Sequence, residues 1–379
     1  MANASIGFTD TFNLSTEANI IFSENGNTSL PASLTGLADQ IQQKMNTAQY
    51  FVCPTLFVVG IVGNICTVLT VSRAQFHQMT SRFILYALAV SDSLLLFTNP
   101  FNQQFMTKLW MLDVRALSKT GCKFFFVMYR TGKMSSSWFI VLVAVERFVA
   151  IMFPLKAKQF LTKTTVCTAV FIIYSVMISV SGIWTFSTDI VNETCMSDVT
   201  SPNTKSLHKS FVIVGAMCYS IIPIIILLIL TPLIIVKLCR SQYHRKVLQH
   251  NNIDRSAKDT SRVTVMLIGI VITYIVCVTP ISLVLILTFW TNEPFFSSKK
   301  IEYIILAGVA MSFEQLNHSS NFFVYILCCR QFRQRFVRMV CWSRNSVLAT
   351  DTSASIPTNT EFLKDTKLET QTHIDDGNI

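Results

Sequence analysis

"RTGKMSSSWFIVLVAVERF", residues 130–148, is the stretch on which the fold turns. Its middle is an apolar helix, yet it opens on Arg130 and Lys133 and closes on Glu146 and Arg147. Ionisable side chains inside a hydrocarbon-spanning segment are costly and mark function by default. Lys133 and Arg147 stand fourteen positions apart, ~21 Å of helix at 1.5 Å per residue. That is most of the ~30 Å hydrocarbon thickness of a bilayer. One helix therefore carries two charged groups, one near each membrane face.

Composition points the same way. The 379 residues are 51% hydrophobic and only 14% charged, with a mean hydropathy of +0.47, whereas soluble domains carry about a quarter charged residues. The net charge of +10 does not indicate a nucleic-acid partner, because the basic residues sit in short segments between apolar runs, as cytoplasmic loops do. The N-terminus lacks a basic region followed by an apolar stretch, so no cleavable signal peptide is expected and the first span would serve as the export signal. Most of the eleven cysteines lie within apolar runs. Cys122 and Cys195 instead fall in segments placed outside the cell, where a disulfide persists.

Runs long enough to span a bilayer occur near 49–72, 83–106, 120–152, 164–187, 208–237, 262–290 and 301–328. The last is the least apolar, with Glu314, Gln315, Asn317, His318 and Asn321, which leaves six helices as the alternative. Six would place both termini on one side, against the flanking signals. Sequons at Asn3, Asn13, Asn27 and Asn192 lie on one face and are glycosylation acceptors only outside the cell. The segments "SRAQFHQMTSR", "KAKQFLTK" and "RQFRQRFVRMVCWSR" crowd positive charge onto the other, which marks the cytoplasm. The expected organisation is an all-α membrane protein, a seven-transmembrane-helix bundle followed by a short amphipathic eighth helix. Residues 1–48 form an extracellular glycosylated N-terminus, 49–328 the transmembrane domain and 329–342 a membrane-surface helix. Residues 343–379 form a polar cytoplasmic tail expected to be disordered. Phe332, Phe336 and Val340 share one face of that eighth helix, and Cys341 beside it is a candidate for palmitoylation. No internal repeat supports a transporter of the inverted-repeat kind.

No phosphate loop, metal-ligand spacing or nucleophile–base set appears, so no enzyme is expected. The outstanding polar residues are single and deep in the membrane: Asn64, Asp92, Ser136, Asn317 and Asn321. A buried carboxylate such as Asp92 must be protonated, hydrogen-bonded or paired with a cation. On the residues alone, an interhelical packing network explains them equally well.

From about residue 50 to 341 the chain resembles the rhodopsin-like (class A) G-protein-coupled receptors, of the neuropeptide type. "GNICTVLTV" carries the helix-one Asn64, "LAVSD" the helix-two Asp92, and "ERF" follows Cys122 as the family's Asp/Glu-Arg-Tyr motif does. "MFPL" places Pro154 in the second inner loop, Pro223 and "CVTP" with Pro280 mark helices five and six, and "NFFVY" ends helix seven at Tyr325. Trp110 matches a first-loop tryptophan. The resemblance implies that Glu146 holds Arg147 at rest and frees it to meet a heterotrimeric G protein, with Pro154 and Tyr325 in the same machinery. It implies that Cys122 and Cys195 form a disulfide over the ligand cavity. It also implies an allosteric Na+ held by Asn64, Asp92, Ser136, Asn317 and Asn321, with no other cofactor, and arrestin and a receptor kinase as partners of the tail. Departures touch the usual helix-six switch: Val278 replaces the toggle tryptophan, Tyr274 the phenylalanine before it, Phe322 the helix-seven proline and Thr231 the helix-five tyrosine.

Amine receptors of the family carry an aspartate at the position of Tyr129, and opsins a helix-seven lysine that 301–329 lacks. The outer cavity instead offers Tyr129, Arg130 and Lys133 from helix three, Asn102, Gln103 and Gln104 from helix two, and Glu314 and Gln315 from helix seven. Tyr129 and Lys133, four apart, share a face. Both signs of charge with amides and rings suit an extracellular peptide. Two alternatives stand beside it: an anionic metabolite or lipid bound by Arg130 and Lys133 together, and an internal Lys133 or Arg130 pair with Glu314. A seven-helix transporter or channel, relaying ions through Asp92, is the remaining rival.

Overall fold

The computed structural model describes residues 32–72, 80–98, 113–191, 194–197, 202–248, 255–291, 300–330 and 332–340. The chain separates into two compact units, Met1–Phe336 and Val337–Ile379; of the second, only residues 337–340 are described, and they are helical.

The first unit is a bundle of long helices: α1 Ala32–Val71, α2 Ser81–Thr98, α3 Lys119–Met152 and α4 Lys163–Trp184 come first. The fifth, α5, comprises Pro202–Ala216 and Ile222–Leu248 joined by a π-helical turn at Met217–Ile221. Then come α6 Arg255–Thr291 and α7 Ile301–Cys328. A short helix, Pro154–Phe160, follows α3, with proline at its first position, where a missing N–H costs nothing. A hairpin of β1 Thr188–Val191 and β2 Thr194–Ser197 pairs antiparallel, with Ile190 opposite Cys195.

Six helices among the described residues are long and apolar enough to cross a membrane, and α7 is not one of them. Its 28 residues reach ~42 Å, so length is not the obstacle. Apolarity is, because Glu314, Gln315, Asn317, His318 and Asn321 are all buried on its inner face. Polar groups turned away from lipid and bonded to neighbouring helices are tolerated at membrane depth. Conversely Val58, Ile65, Phe171, Ile229 and Val276 are exposed, the inverse of a soluble surface.

The helix α1 begins well before residue 49, where its apolar run starts. Where the apolar run begins, α1 is anchored to α7: Gln49 Nε2 donates to Gly308 O at 3.2 Å and Ser312 Oγ at 2.8 Å, and Cys53 Sγ to Gln315 Oε1 at 3.3 Å. Where α3 crosses α2, a Cβ on Gly132 would lie 3.0 Å from both Leu95 N and Ser91 O. The helices touch backbone to backbone there, as small residues allow in membranes. Past α7, Phe332 and Phe336 set their rings 6.0 and 5.1 Å from that of Phe322.

Candidate functional site

The upper charged group of α3 splits in two directions. Lys133 Nζ lies 2.5 Å from Glu314 Oε1 on α7, with both side chains almost fully buried at 4% and 6% exposure. Its ammonium also stands 4.3 Å from the Tyr219 ring centre on α5 and 5.7 Å from that of Tyr129, distances at which a cation is attracted to a ring face. Arg130 turns the other way, 4.0 Å over the Trp184 ring and 4.8 Å over Phe126. Trp184 fits because α5 has Gly215 beside it: a Cβ there would fall 2.5 Å from two indole carbons. Arg130 and Lys133 therefore do not converge on one anion.

Above them the Cys122–Cys195 disulfide ties β2 to the top of α3. A second tie guards it. Arg115 donates through Nε and Nη2, both at 2.8 Å, to the two oxygens of Asp113, and Asp113 Oδ2 accepts from Cys195 N at 3.2 Å. This fork-to-fork geometry fixes orientation as well as contact. On the exposed side, Ile190 N–H and then Lys119 hold the Asp189 carboxyl below its ordinary value.

Below Lys133, α5 exposes two backbone carbonyls. Ile222 N–H bonds to Met217 O across the π turn, so Cys218 O loses its ordinary donor. Pro223 has no N–H, so Tyr219 O loses its donor as well. Each is met from a different helix: Trp138 Nε1 of α3 donates to Cys218 O at 3.0 Å, and Tyr274 Oη of α6 to Tyr219 O at 2.8 Å. Buried carbonyls without partners would be costly. The turn thereby joins α3, α5 and α6 directly beneath the Lys133–Glu314 pair.

Deeper still, Asp92 is fully buried and its oxygens are occupied. Oδ1 accepts from Ser136 Oγ at 2.6 Å and contacts His318 Nδ1 at 2.8 Å, while Oδ2 accepts from Asn321 Nδ2 at 2.6 Å. Asn64 bonds instead to Ser93 Oγ at 3.2 Å, and Asn317 Nδ2 is buried without a hydrogen-bond partner among the described residues.

At the end of α3 away from the disulfide, Glu146 Oε1 accepts from Thr80 Oγ1 at 2.7 Å and Oε2 from Ser81 Oγ at 2.6 Å. Arg147 Nη2 lies 3.5 Å from Glu146 Oε2 and donates to Ser81 Oγ. Ser81 both accepts from the arginine and donates to the glutamate, so the start of α2 clamps the pair. Tyr325 is buried against Phe332, ring centres 5.4 Å apart.

The structure thus brings Tyr129, Lys133 and Glu314 together, joins Cys122 to Cys195, and gathers Asp92, Ser136 and Asn321. Gln315 bonds to α1 rather than to Glu314's partners. Asn102, Gln103, Gln104, Trp110, the sequons at Asn3, Asn13, Asn27 and Asn192, and Cys341 lie outside the described residues. Sequence reasoning missed His318, Tyr219, Trp138, Ser81 and Asp113. His318 had a signal, since it stands three before Asn321 and so shares its face; Ser81 and Asp113, outside any apolar run, had none.

The family described as 7 transmembrane receptor (rhodopsin family) matches residues 63–317, more than half of the chain, and the chain belongs to it. It is a multi-pass membrane protein. Among known proteins it is 34% identical to growth hormone secretagogue receptor type 1 of Homo sapiens over 130 residues, 34% of this chain and 35% of that one. It is 26% identical to neuromedin-U receptor 2 of Mus musculus over 301 residues, 75% of this chain and 73% of that one. The first alignment spans only about a third of the relative's length.

Proposed function

We propose that the protein is a cell-surface receptor that binds an extracellular peptide and activates a heterotrimeric G protein, with its N-terminus outside and its C-terminus in the cytoplasm. The observation that carries this reading is the division of α3: Lys133 and Glu314 meet beneath a disulfide-tied hairpin at one end, and Arg147 is clamped by Glu146 and Ser81 at the other. Relatives named as receptors for a growth hormone secretagogue and for neuromedin-U support it. The divergence of Arg130 from Lys133 disfavours a single small anion bridging both.

A peptide carries ammonium and carboxylate groups that compete for Glu314 and Lys133. Exchanging their internal partner for an external one loosens the α3–α7 tie, and the disturbance reaches α6 through Tyr219 and Tyr274. That hydroxyl-to-carbonyl link stands in for the toggle tryptophan that Val278 replaces. Outward movement of α6 then favours a conformation in which Arg147 leaves Glu146 for the G protein. Ligand and G protein each raise the other's affinity because both prefer that state.

The test is expression with a promiscuous G protein and a calcium screen of a neuropeptide library. A saturable response to one peptide class is expected. Silence to peptides with a response to organic acids or lipids would overturn the peptide reading.

A further inference from the structure

The sodium ion that the family resemblance implies at Asp92 does not fit the residues that surround it here. We infer that His318 takes the place of the cation, so that the Asp92 pocket is closed to sodium and its resting arrangement is independent of that ion.

Three observations carry the inference. First, His318 is fully buried and its Nδ1 stands 2.8 Å from Asp92 Oδ1, the distance of a direct hydrogen bond. Because a carboxylate that takes hydrogen bonds from Ser136 and Asn321 acts as acceptor, the contact assigns the ring proton to Nδ1, and Nε2 is buried without a hydrogen-bond partner among the described residues. Second, the carboxylate is already surrounded by donors. Ser136 Oγ at 2.6 Å and Asn321 Nδ2 at 2.6 Å complete the set with His318, leaving about one of the ~4 lone-pair positions of a carboxylate unused. Third, the atoms facing Asp92 present hydrogens, while an alkali cation is held by oxygen lone pairs such as carbonyls. Ser136 Oγ spends its proton on Asp92 and lies 3.4 Å from His318 Nδ1. Asn321 must turn its amide nitrogen, not its oxygen, toward the carboxylate. Asn64 does not join the carboxylate: its amide nitrogen donates to Ser93 Oγ at 3.2 Å.

The site is thus a hydrogen-bonded Asp–His pair spanning α2 and α7, braced by α3 through Ser136. It does for Asp92 what a bound ion would do: it offsets a buried carboxylate that would otherwise be intolerable. The offset is built into the chain instead of borrowed from the extracellular medium.

The experiment uses the full-length protein in detergent at constant pH, with no ligand or G protein, so its outcome is separate from that of the peptide screen. Thermal midpoints are measured as NaCl replaces choline chloride at constant ionic strength, with the Asp92→Asn form alongside. The response is the part that Asp92→Asn abolishes. A site filled at ten times its dissociation constant would raise the midpoint by roughly 3 °C. The expected result is no such rise in the natural protein and a saturable rise of this size in His318→Ser, which opens the space and adds an oxygen. His318→Asn, closer in volume, makes the same prediction should the serine variant fold poorly. A sodium-specific rise in the natural protein would overturn the inference. A flat response in all three would show that the remaining pocket, not His318, excludes the ion, and would overturn the role assigned to that residue.

Discussion

Replacing Lys133 by methionine keeps most of the side-chain volume and removes the charge, stranding Glu314 where only 6% of its side chain is exposed. At 2.5 Å and an effective dielectric of ~20, the gross attraction in the pair is roughly 6–7 kcal/mol. Desolvation of both ions consumes much of that, and removing one partner of such a pair costs ~3–5 kcal/mol. Lys133→Met and Glu314→Gln singly should each lower the unfolding midpoint by on the order of 10 °C. The double variant leaves no unpaired charge, so it should fall short of the summed losses by ~2–3 kcal/mol. Thermal unfolding followed by thiol labelling of the buried Cys53 and Cys277 reads this directly. Each single variant should also signal more without ligand, because the resting conformation loses its α3–α7 tie. Strictly additive losses in the double variant, with unchanged basal signalling, would refute the pairing as an energetic link.

Tyr274→Phe leaves the Tyr219 carbonyl unmet, at ~1–3 kcal/mol, and should raise ligand-free signalling; unchanged basal activity in a calcium or nucleotide-exchange assay would refute the link to α6. Arg147→Ala should preserve surface expression, measured by antibody on intact cells, and abolish signalling; persistent signalling would remove the arginine from the transducing machinery. Replacing Cys122 and Cys195 by serine opens a loop of 73 residues' separation, an upper-bound loss of about 4 kcal/mol by chain entropy. The outer hairpin would retain the Asp113 bond to Cys195 N, so ligand potency should fall further when Asp113→Ala is added.

Much of the bundle is legible in the residues. Apolar run lengths locate the helices, and the charges of 130–148 mark the two levels of α3 at which buried ion pairs form, Lys133 with Glu314 and Arg147 with Glu146. The helix α7 shows the limit: its polar residues depress its apolarity, and only their burial against α1, α2 and α3 explains why it still belongs among the spans. Side-chain direction was less legible. Spacing puts Tyr129 and Lys133 on one face, as found, yet it could not say that Arg130 reaches Trp184, because that depends on Gly215 from a distant helix. Pro223 announces a lost hydrogen bond at Tyr219; nothing local announces the Ile222–Met217 bond that frees Cys218 as well. His318 was visible as a polar residue and silent about its partner, since pairing across 226 positions is a property of the packed bundle.

The π turn at Met217–Ile221 has a consequence for how α5 can change. One residue beyond the ordinary helical count turns a helix by about 100°, so its two segments run in different phase. Residues of Pro202–Ala216 address the disulfide-bearing end of the bundle in one angular frame, and those of Ile222–Leu248 address the opposite end in another. A deletion of one residue within the turn would rotate the upper segment against Trp184 while leaving every side chain of the lower segment in place. The turn is a phase joint: each half of α5 can be revised without re-indexing the other.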